Sequence, residues 1–309
     1  MAAFKFPFKN LSAYRLTPEF MAVTSAESLR SAVQAQAYRE GENGPEDETP
    51  GWAVVREGDQ VYSMERQHLL LHKVAKRVLP AGVVRDAVAR RAVQIEQQQG
   101  YKPGRKQMRD IKEAVIDELS PKAFMQTKET FVWFDLEDGW LFIDATSEAK
   151  RDEILGLIGK TFTPFPAVSL HVARSPASAM TGWLSDGEAE EGFTIDQEAE
   201  LLSTGESAAS VRYLRETPQQ DDVTRQVGAG KQCVKLALTW QDRISFILAA
   251  DLTIKKIAPL DVVRESYEGG NGGGANADAM YQSMFALFTG EVRGMMGDVV
   301  ASLGGYVTE

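Results

Sequence analysis

A chain of 309 residues that is 43% hydrophobic and 25% charged can bury a real core, and its length suggests about two domains. Its single cysteine, Cys233, excludes a disulfide framework within one chain. Met1 to Phe8 is broken by Lys5 and Pro7, and no stretch approaches the roughly 18 uncharged apolar residues of a membrane span, so a soluble cytoplasmic protein is expected. A net charge of −10, taken alone, argues against a nucleic-acid partner.

Residues 11–16 predict a strand, and residues 24–38 a helix opened by the capping pattern Thr24-x-x-Glu27. The polar, Gly- and acid-rich stretch 41–51 predicts a mobile loop. Residues 60–64 and 68–74 predict two strands turning at Glu65-Arg66. Pro80 marks a change. Val83, Val84, Ala87, Val88, Ala92 and Ile95 recur at helical spacing as far as the Gln-rich turn at 97–100. A second helix over 105–119 carries Met108, Ile111, Val115 and Leu119 on one stripe and ends at Pro121. The pair predicts a basic helical hairpin inserted between β elements.

Residues 131–136 and 140–144 flank Glu137-Asp138-Gly139, a hairpin with a Gly-bearing turn. Residues 147–160 predict a helix and 167–172 a strand. Residues 233–240 and 243–250 predict another hairpin, 254–257 a third strand, and 269–274 a flexible linker. The last helix, over 277–303, aligns Met280, Met284, Leu287, Phe288, Val292, Met295, Val299 and Leu303 on one face, with Gly304-Gly305 as its stop. Strands and helices mix without a βαβ rhythm, which predicts an α+β fold of mixed antiparallel sheets with helices. Three parts are expected: a central α+β domain of residues 1–79 and 120–172, a tip of residues 80–119, and a base of residues 173–309.

Charge is unevenly placed. Between Lys73 and Lys112 eleven basic residues stand against three acidic ones, a net of +8, while between Asp186 and Asp222 eleven acidic residues stand against Arg212 and Arg215, a net of −9. Local field decides what docks where, so the basic block is either a phosphate-binding module or a solvated helix pair. Lys102, Arg105, Lys106 and Arg109 crowd a turn and the following helix start, which makes them candidate phosphate contacts together with Lys76 and Arg77. The C-terminal apolar stripe is longer than one domain's core readily needs. Met284 and Phe288 are therefore candidate dimer contacts, with core packing as the alternative.

Several catalytic-looking motifs fail on chemistry. Gly228-Ala229-Gly230-Lys231 lacks the earlier Gly of a phosphate loop, where Arg225 stands, and the Ser or Thr after the Lys, where Gln232 stands. Gly270-x-Gly272-x-x-Ala275 has no strand before it. His68 and His72 have metal-like spacing without the Glu of a zincin, leaving His171 and Cys233 as soft ligands. Asp135, Glu137, Asp138 and Asp144 read as turn and strand-end carboxylates rather than an acid–base pair. Phe131, Trp133, Phe134, Trp140 and Phe142 read as core or as base-stacking rings. No reaction and no cofactor are predicted.

A series of stretches resembles the RdgC family of bacterial recombination-associated proteins. They are Phe8-Lys9-Asn10-Leu11-Ser12-Ala13-Tyr14-Arg15-Leu16, Val78-Leu79-Pro80, Leu119-Ser120-Pro121-Lys122-Ala123-Phe124, Gly192-Phe193, Glu198-Ala199-Glu200-Leu201, and the run from Ala229 to Phe246 with Lys231, Lys235, Trp240 and Arg243. Leu287-Phe288-Thr289-Gly290-Glu291 and Leu303-Gly304-Gly305 close the series. Their order over residues 4–305 is the signal. The resemblance implies a homodimer closed into a ring, with subunits touching at both ends and single- or double-stranded DNA held in a positively lined hole with little sequence preference. It implies restraint of RecA-promoted recombination and a place at the nucleoid. Phe124 matches the aromatic of the tip-to-tip contact, and Arg215 a basic position lining the hole. Leu214 and Glu216 depart from the family's polar and basic pattern there. The competing expectations are a protein-interaction scaffold acting on recombinase without DNA, and a nuclease.

Overall fold

The computed structural model describes residues 7–39, 50–56, 58–205, 209–216, 218–270 and 277–307, without the side chains of 267–270. The predicted loop at 41–51 thus falls almost wholly outside the described residues. Strand β1 (Ser12–Leu16) comes first, followed by two short helices, α1 (Pro18–Val23) and α2 (Ala26–Gln34). The predicted single helix from Thr24 is corrected. Pro18 starts a separate helix that ends at Thr24, and Ser25 caps the second helix. Ser25 Oγ accepts from the Ser28 amide at 3.2 Å while Ser28 Oγ accepts from the Ser25 amide at 2.8 Å, a capping box with Ser in place of Glu.

The chain then lays down β2 (Gly51–Ala53), β3 (Val61–Met64) and the long β4 (Gln67–Val78), followed by helices α3 (Ala81–Gln99) and α4 (Arg105–Leu119). It returns as β5 (Phe124–Asp135), β6 (Trp140–Ile143), α5 (Glu148–Thr161) and β7 (Ala167–Ser169). These strands form one antiparallel sheet in the order β2-β4-β5-β6-β1-β7, with β3 also on β4. Alternation along the strands sends Leu70, Val132, Phe134, Leu141 and Ile143 to one face, where Phe20, Leu29, Val33, Ile154 and Ile158 cover them. Leu69, Trp133, Trp140 and Phe142 go to the other. The aromatics are core, as period-two burial on both faces requires.

The remainder is α6 (Pro176–Asp186), β8 (Phe193–Ser203), β9 (Ser210–Leu214), α7 (Gln220–Gly228), β10 (Lys231–Trp240), β11 (Ile244–Ala249), β12 (Ile254–Pro259), α8 (Asp261–Gly270) and α9 (Ala277–Ser302). Its sheet runs β12-β11-β10-β8-β9, again antiparallel, so the fold is α+β with two antiparallel sheets. The linker expected at 269–274 is corrected at its start, because α8 continues through Gly270; residues 271–276 lie outside the described residues.

Helix α9 joins the two halves. Phe285, Phe288, Val292, Met295, Met296 and Val299 sit in one continuous cluster with Trp133 and Phe142 of the first sheet and Leu236, Leu238 and Phe246 of the second. Phe288 is 0% exposed and stacks on Phe8 at 5.3 Å between ring centroids. This corrects its assignment as a dimer contact: at Phe288 the stripe is spent inside the chain, and that ring presents nothing to a partner. Met284 is half-buried. Close approach of α9 to the second sheet depends on Gly294, where a Cβ would lie 2.9 Å from Trp240 Cη2. Among the described residues no helix is long and apolar enough to cross a membrane.

Candidate nucleic-acid interface

Helices α3 and α4 lie between β4 and β5, which pair along twelve residues from Gln67↔Asp135 to Val78↔Phe124. The helix pair therefore projects from the end of a two-stranded arm. Its seam is thin: only Val84, Ile111 and Val115 are buried, with Ala87, Val88, Ala92, Ile95 and Met108 packed beside them. The turn is built more firmly. Gly100 adopts φ +81° and its amide donates to Glu96 O at 2.8 Å, ending α3 in a left-handed cap. Gln107 Nε2 donates to Gln99 Oε1 at 2.9 Å, and Gln99 Nε2 donates to Tyr101 O at 2.8 Å.

The cations concentrate at this turn. Gly104 is the N-cap of α4 and offers no side chain, and the first turn carries no acid but Arg105 and Lys106. The uncapped amides and the positive end of the helix dipole thus meet two cations, with Lys102 just ahead and Arg109 one turn on. All four are exposed, and among the described residues none has a carboxylate partner. Such a cluster repels itself and is relieved by an anion, which is how helix N-termini bind phosphate. Tyr101, 66% exposed in the same turn, is an aromatic that sequence reasoning missed. Its position between a turn glycine and a lysine was the available signal.

The other predicted contacts lie elsewhere. Lys76 Nζ is 3.1 Å from Glu153 Oε2, and Arg77 donates to the Ser120 carbonyl, so both serve the root of the helix pair. A helix of 19 residues puts root and tip about 28 Å apart. Arg215 is exposed at φ +59° just beyond β9, on the second sheet. The candidate residues thus form a compact tip group, a tethered root pair and a lone arginine.

Phe124 opens β5 with 87% exposure, beside Met125 at 51%. A cavity of about 510 Å³ between the helices, lined by Leu79, Val84, Arg85, Val88, Lys112 and Ile116, gives the same region an apolar hollow with two cations.

The acidic segment is partly neutralised within the chain. Glu200 binds Lys235 at 2.6 Å and Arg212 at 2.9 Å, Glu198 binds Lys256 at 2.7 Å, and Asp196 accepts from Thr239 at 2.8 Å. The cluster at the β5–β6 turn is structural too. Asp135 Oδ1 accepts from Gln67 at 2.7 Å and from the Glu137 and Asp138 amides, Asp138 is held by Arg293 at 2.6 Å, and Asp144 accepts from Asn10. Burial raises the Asp135 and Asp144 carboxyls above their usual range, against those hydrogen bonds. Burial likewise lowers His68 and His72 to about 4 and pushes the Cys233 thiol up to about 12. Among the described residues no three His, Cys, Asp or Glu side chains are grouped to hold a metal ion. Gly228 to Lys231 is a tight turn into β10, with Gly230 at φ +81°.

A family model described as "Putative exonuclease, RdgC" matches residues 6–306. Proteins named recombination-associated protein RdgC are similar along almost their whole length. The one from Janthinobacterium sp. (strain Marseille) is 46% identical over 301 residues, covering 97% of this chain and 98% of that protein. The Bordetella parapertussis protein is 45% identical over 299 residues, 96% and 98% of the two chains. That of Ralstonia nicotianae is 46% identical over 299 residues, 96% and 95%. The resemblance carried by scattered short stretches extends over nearly every element of both sheets, and the chain belongs to the RdgC family of recombination-associated proteins.

Proposed function

We propose that this chain binds single- and double-stranded DNA without sequence preference, as a ring-shaped homodimer that occupies DNA and so limits RecA-promoted recombination at the nucleoid. The observation that carries the reading is the tip of the helix pair: Lys102, Arg105, Lys106 and Arg109 exposed around an uncapped helix start, with no carboxylate on any of them among the described residues. Side chains in that state neutralise phosphates and release counterions, a term blind to base sequence. Tyr101 adds a ring on which an unpaired base can stack. Lys76, Arg77 and Arg215 contribute at more distant points of the path, in keeping with DNA that runs along the molecule rather than into a cleft. In the dimer, one contact is formed by Phe124 at the root of the helix pair, whose 87% exposure costs the monomer apolar surface in water, and Met284 belongs to the second contact.

The test is a gel-shift titration at two salt concentrations with duplexes of unrelated sequence. Changing Lys102, Arg105, Lys106 and Arg109 together to Ala is expected to weaken every duplex alike, and to flatten the salt slope by about 0.9 per lost contact. Unchanged affinity and slope would move the DNA site away from the tip. The family model's description favours a second reading, an exonuclease. It is separated by adding magnesium to end-labelled DNA: shortening of the strand would replace the non-catalytic reading.

A further inference from the structure

Arg15 takes no part in the DNA reading, and its surroundings are built. The register of β1 against β6 sets Arg15 opposite Trp140, and its guanidinium carbon lies 4.1 Å from the Trp140 ring centroid and 5.0 Å from that of Tyr306. Gly139, at φ +72° in the β5–β6 turn, leaves the room: a Cβ there would lie 3.1 Å from Arg15 Nη2 and 2.9 Å from Met21 Sδ. The side chain is half-buried, and among the described residues it has no hydrogen bond or ion pair. The carboxylates whose charge reaches it, Asp135 and Asp138, are taken by Arg293 at 3.3 and 2.6 Å. Burial accordingly lowers its pKa.

This cation borders a cavity of about 630 Å³ at the outer edge of the first sheet, where β7 is the terminal strand. Thr17, Ser169 and His171 supply polar atoms to the lining, while Leu16 and Val168 are among its apolar walls. Glu19, exposed, is the one acid among them and does not reach Arg15. Taking a guanidinium out of water without an anion is unfavourable, and two aromatic faces offset only part of that cost. A planar fork of unused N–H donors beside a partly apolar hollow of small-molecule size has a definite complement.

We propose that this pocket is an oxyanion site, which takes a small carboxylate or phosphate carried on an apolar body. The head pairs with Arg15, the hydroxyl of Thr17 takes a remaining oxygen, and the body lies along Val168, which faces Arg15 across the strand pair, and the half-exposed Tyr306 ring. The site is independent of the cationic tip.

Calorimetric titration of the full chain decides it. The probes are thymidine 5′-monophosphate for the phosphate head, 3-phenylpropanoate for the carboxylate head, and 3-phenylpropanamide as the neutral control. Saturable one-to-one binding of at least one anion is expected, without binding of the amide, and whichever anion binds identifies the head. Arg15→Gln should weaken it roughly tenfold or more, the scale of one charge-assisted contact. Tyr306→Ala, at an exposed ring, should weaken it several-fold, and it serves as the test should Arg15→Gln fail to fold. The fourfold tip variant should bind as wild type does. The proposal falls if neither anion binds at millimolar concentration, if the amide binds equally, if neither pocket variant weakens binding, or if the tip variant abolishes it.

Discussion

His68 and His72 show how residues that look like ligands become core. Both lie on β4 and point with Leu70 toward the helices that cover the first sheet, at 2% and 0% exposure. His68 Nδ1 shares a hydrogen bond with Ser63 Oγ at 2.9 Å, and His72 Nδ1 lies 3.3 Å from Lys150 Nζ. Burial chiefly, then nearby cations, holds both folded-state pKa values at about 4 against 6.5 for free imidazole. The folded chain therefore binds fewer protons than the unfolded one between those limits. Their contribution is complete above about pH 6.5 and is lost as pH falls toward 4. Between pH 7 and 5.5 each histidine should cost about 1 kcal/mol. Urea midpoints should thus fall less for the His68→Gln, His72→Gln double variant than for wild type over that interval, and equal falls would mean the imidazoles are not held neutral. The sequence announced both residues but not their burial, because a strand covered by helices on one face looks the same in letters as an exposed one. Phe288 was misread for the same reason. Its place on an apolar stripe was legible, but whether a second sheet of its own chain or a second copy covers that stripe is decided by topology alone.

At the scale of elements, strong periodicity was legible and weak periodicity was not. The two tip helices emerge as Ala81–Gln99 and Arg105–Leu119, near the spans their apolar spacing predicts. The hairpins around Gly139 and Gln241-Asp242 were equally readable. Strand β5 begins seven residues earlier than its aromatic run, because Phe124 to Glu129 are exposed and carry no burial pattern. Strand β8 was hidden in acid: its inward residues include the small Ala199, while Glu198 and Glu200 find lysines across the sheet. Helix α6 did leave a signal, Ala179, Met180, Trp183 and Leu184 at helical spacing behind Pro176. The thin seam of the tip carries its own consequence. Replacing Val115, 6% exposed, by Ala should cost about 2 kcal/mol locally. Because the buried residues of α3 and α4 form a small cluster of their own, apart from those of the two sheets, amide exchange should quicken in residues 81–119, while the sheets keep their protection. Uniformly quickened exchange would mean that the tip folds as one with the sheets.

For the whole molecule, charge separation is what would let a chain of net −10 hold DNA as proposed. Exposed Asp186, Glu188, Glu190 and Glu191 face water between α6 and β8, while the cations cluster at the end of a projecting arm. Two copies meeting at the end of the β4–β5 arm, where Phe124 lies at the root of the helix pair, would close a ring, and this makes a sharp prediction for Phe124. At 87% exposure this side chain contributes little to folding, so Phe124→Ser should leave the thermal midpoint nearly unchanged. At the centre of a contact the same loss typically costs a few kcal/mol. If the Phe124 contact is the gate through which DNA enters, the variant dimer should persist through its second contact but stay open. Loaded on closed circular DNA and challenged with salt, wild type should remain while the variant leaves. On linear DNA the two should differ little, because a closed ring slides off an end. Charge attraction alone treats circles and lines alike. Indistinguishable release of wild type and variant from both would remove the threaded ring, and would leave the cationic tip as a simple DNA-binding surface.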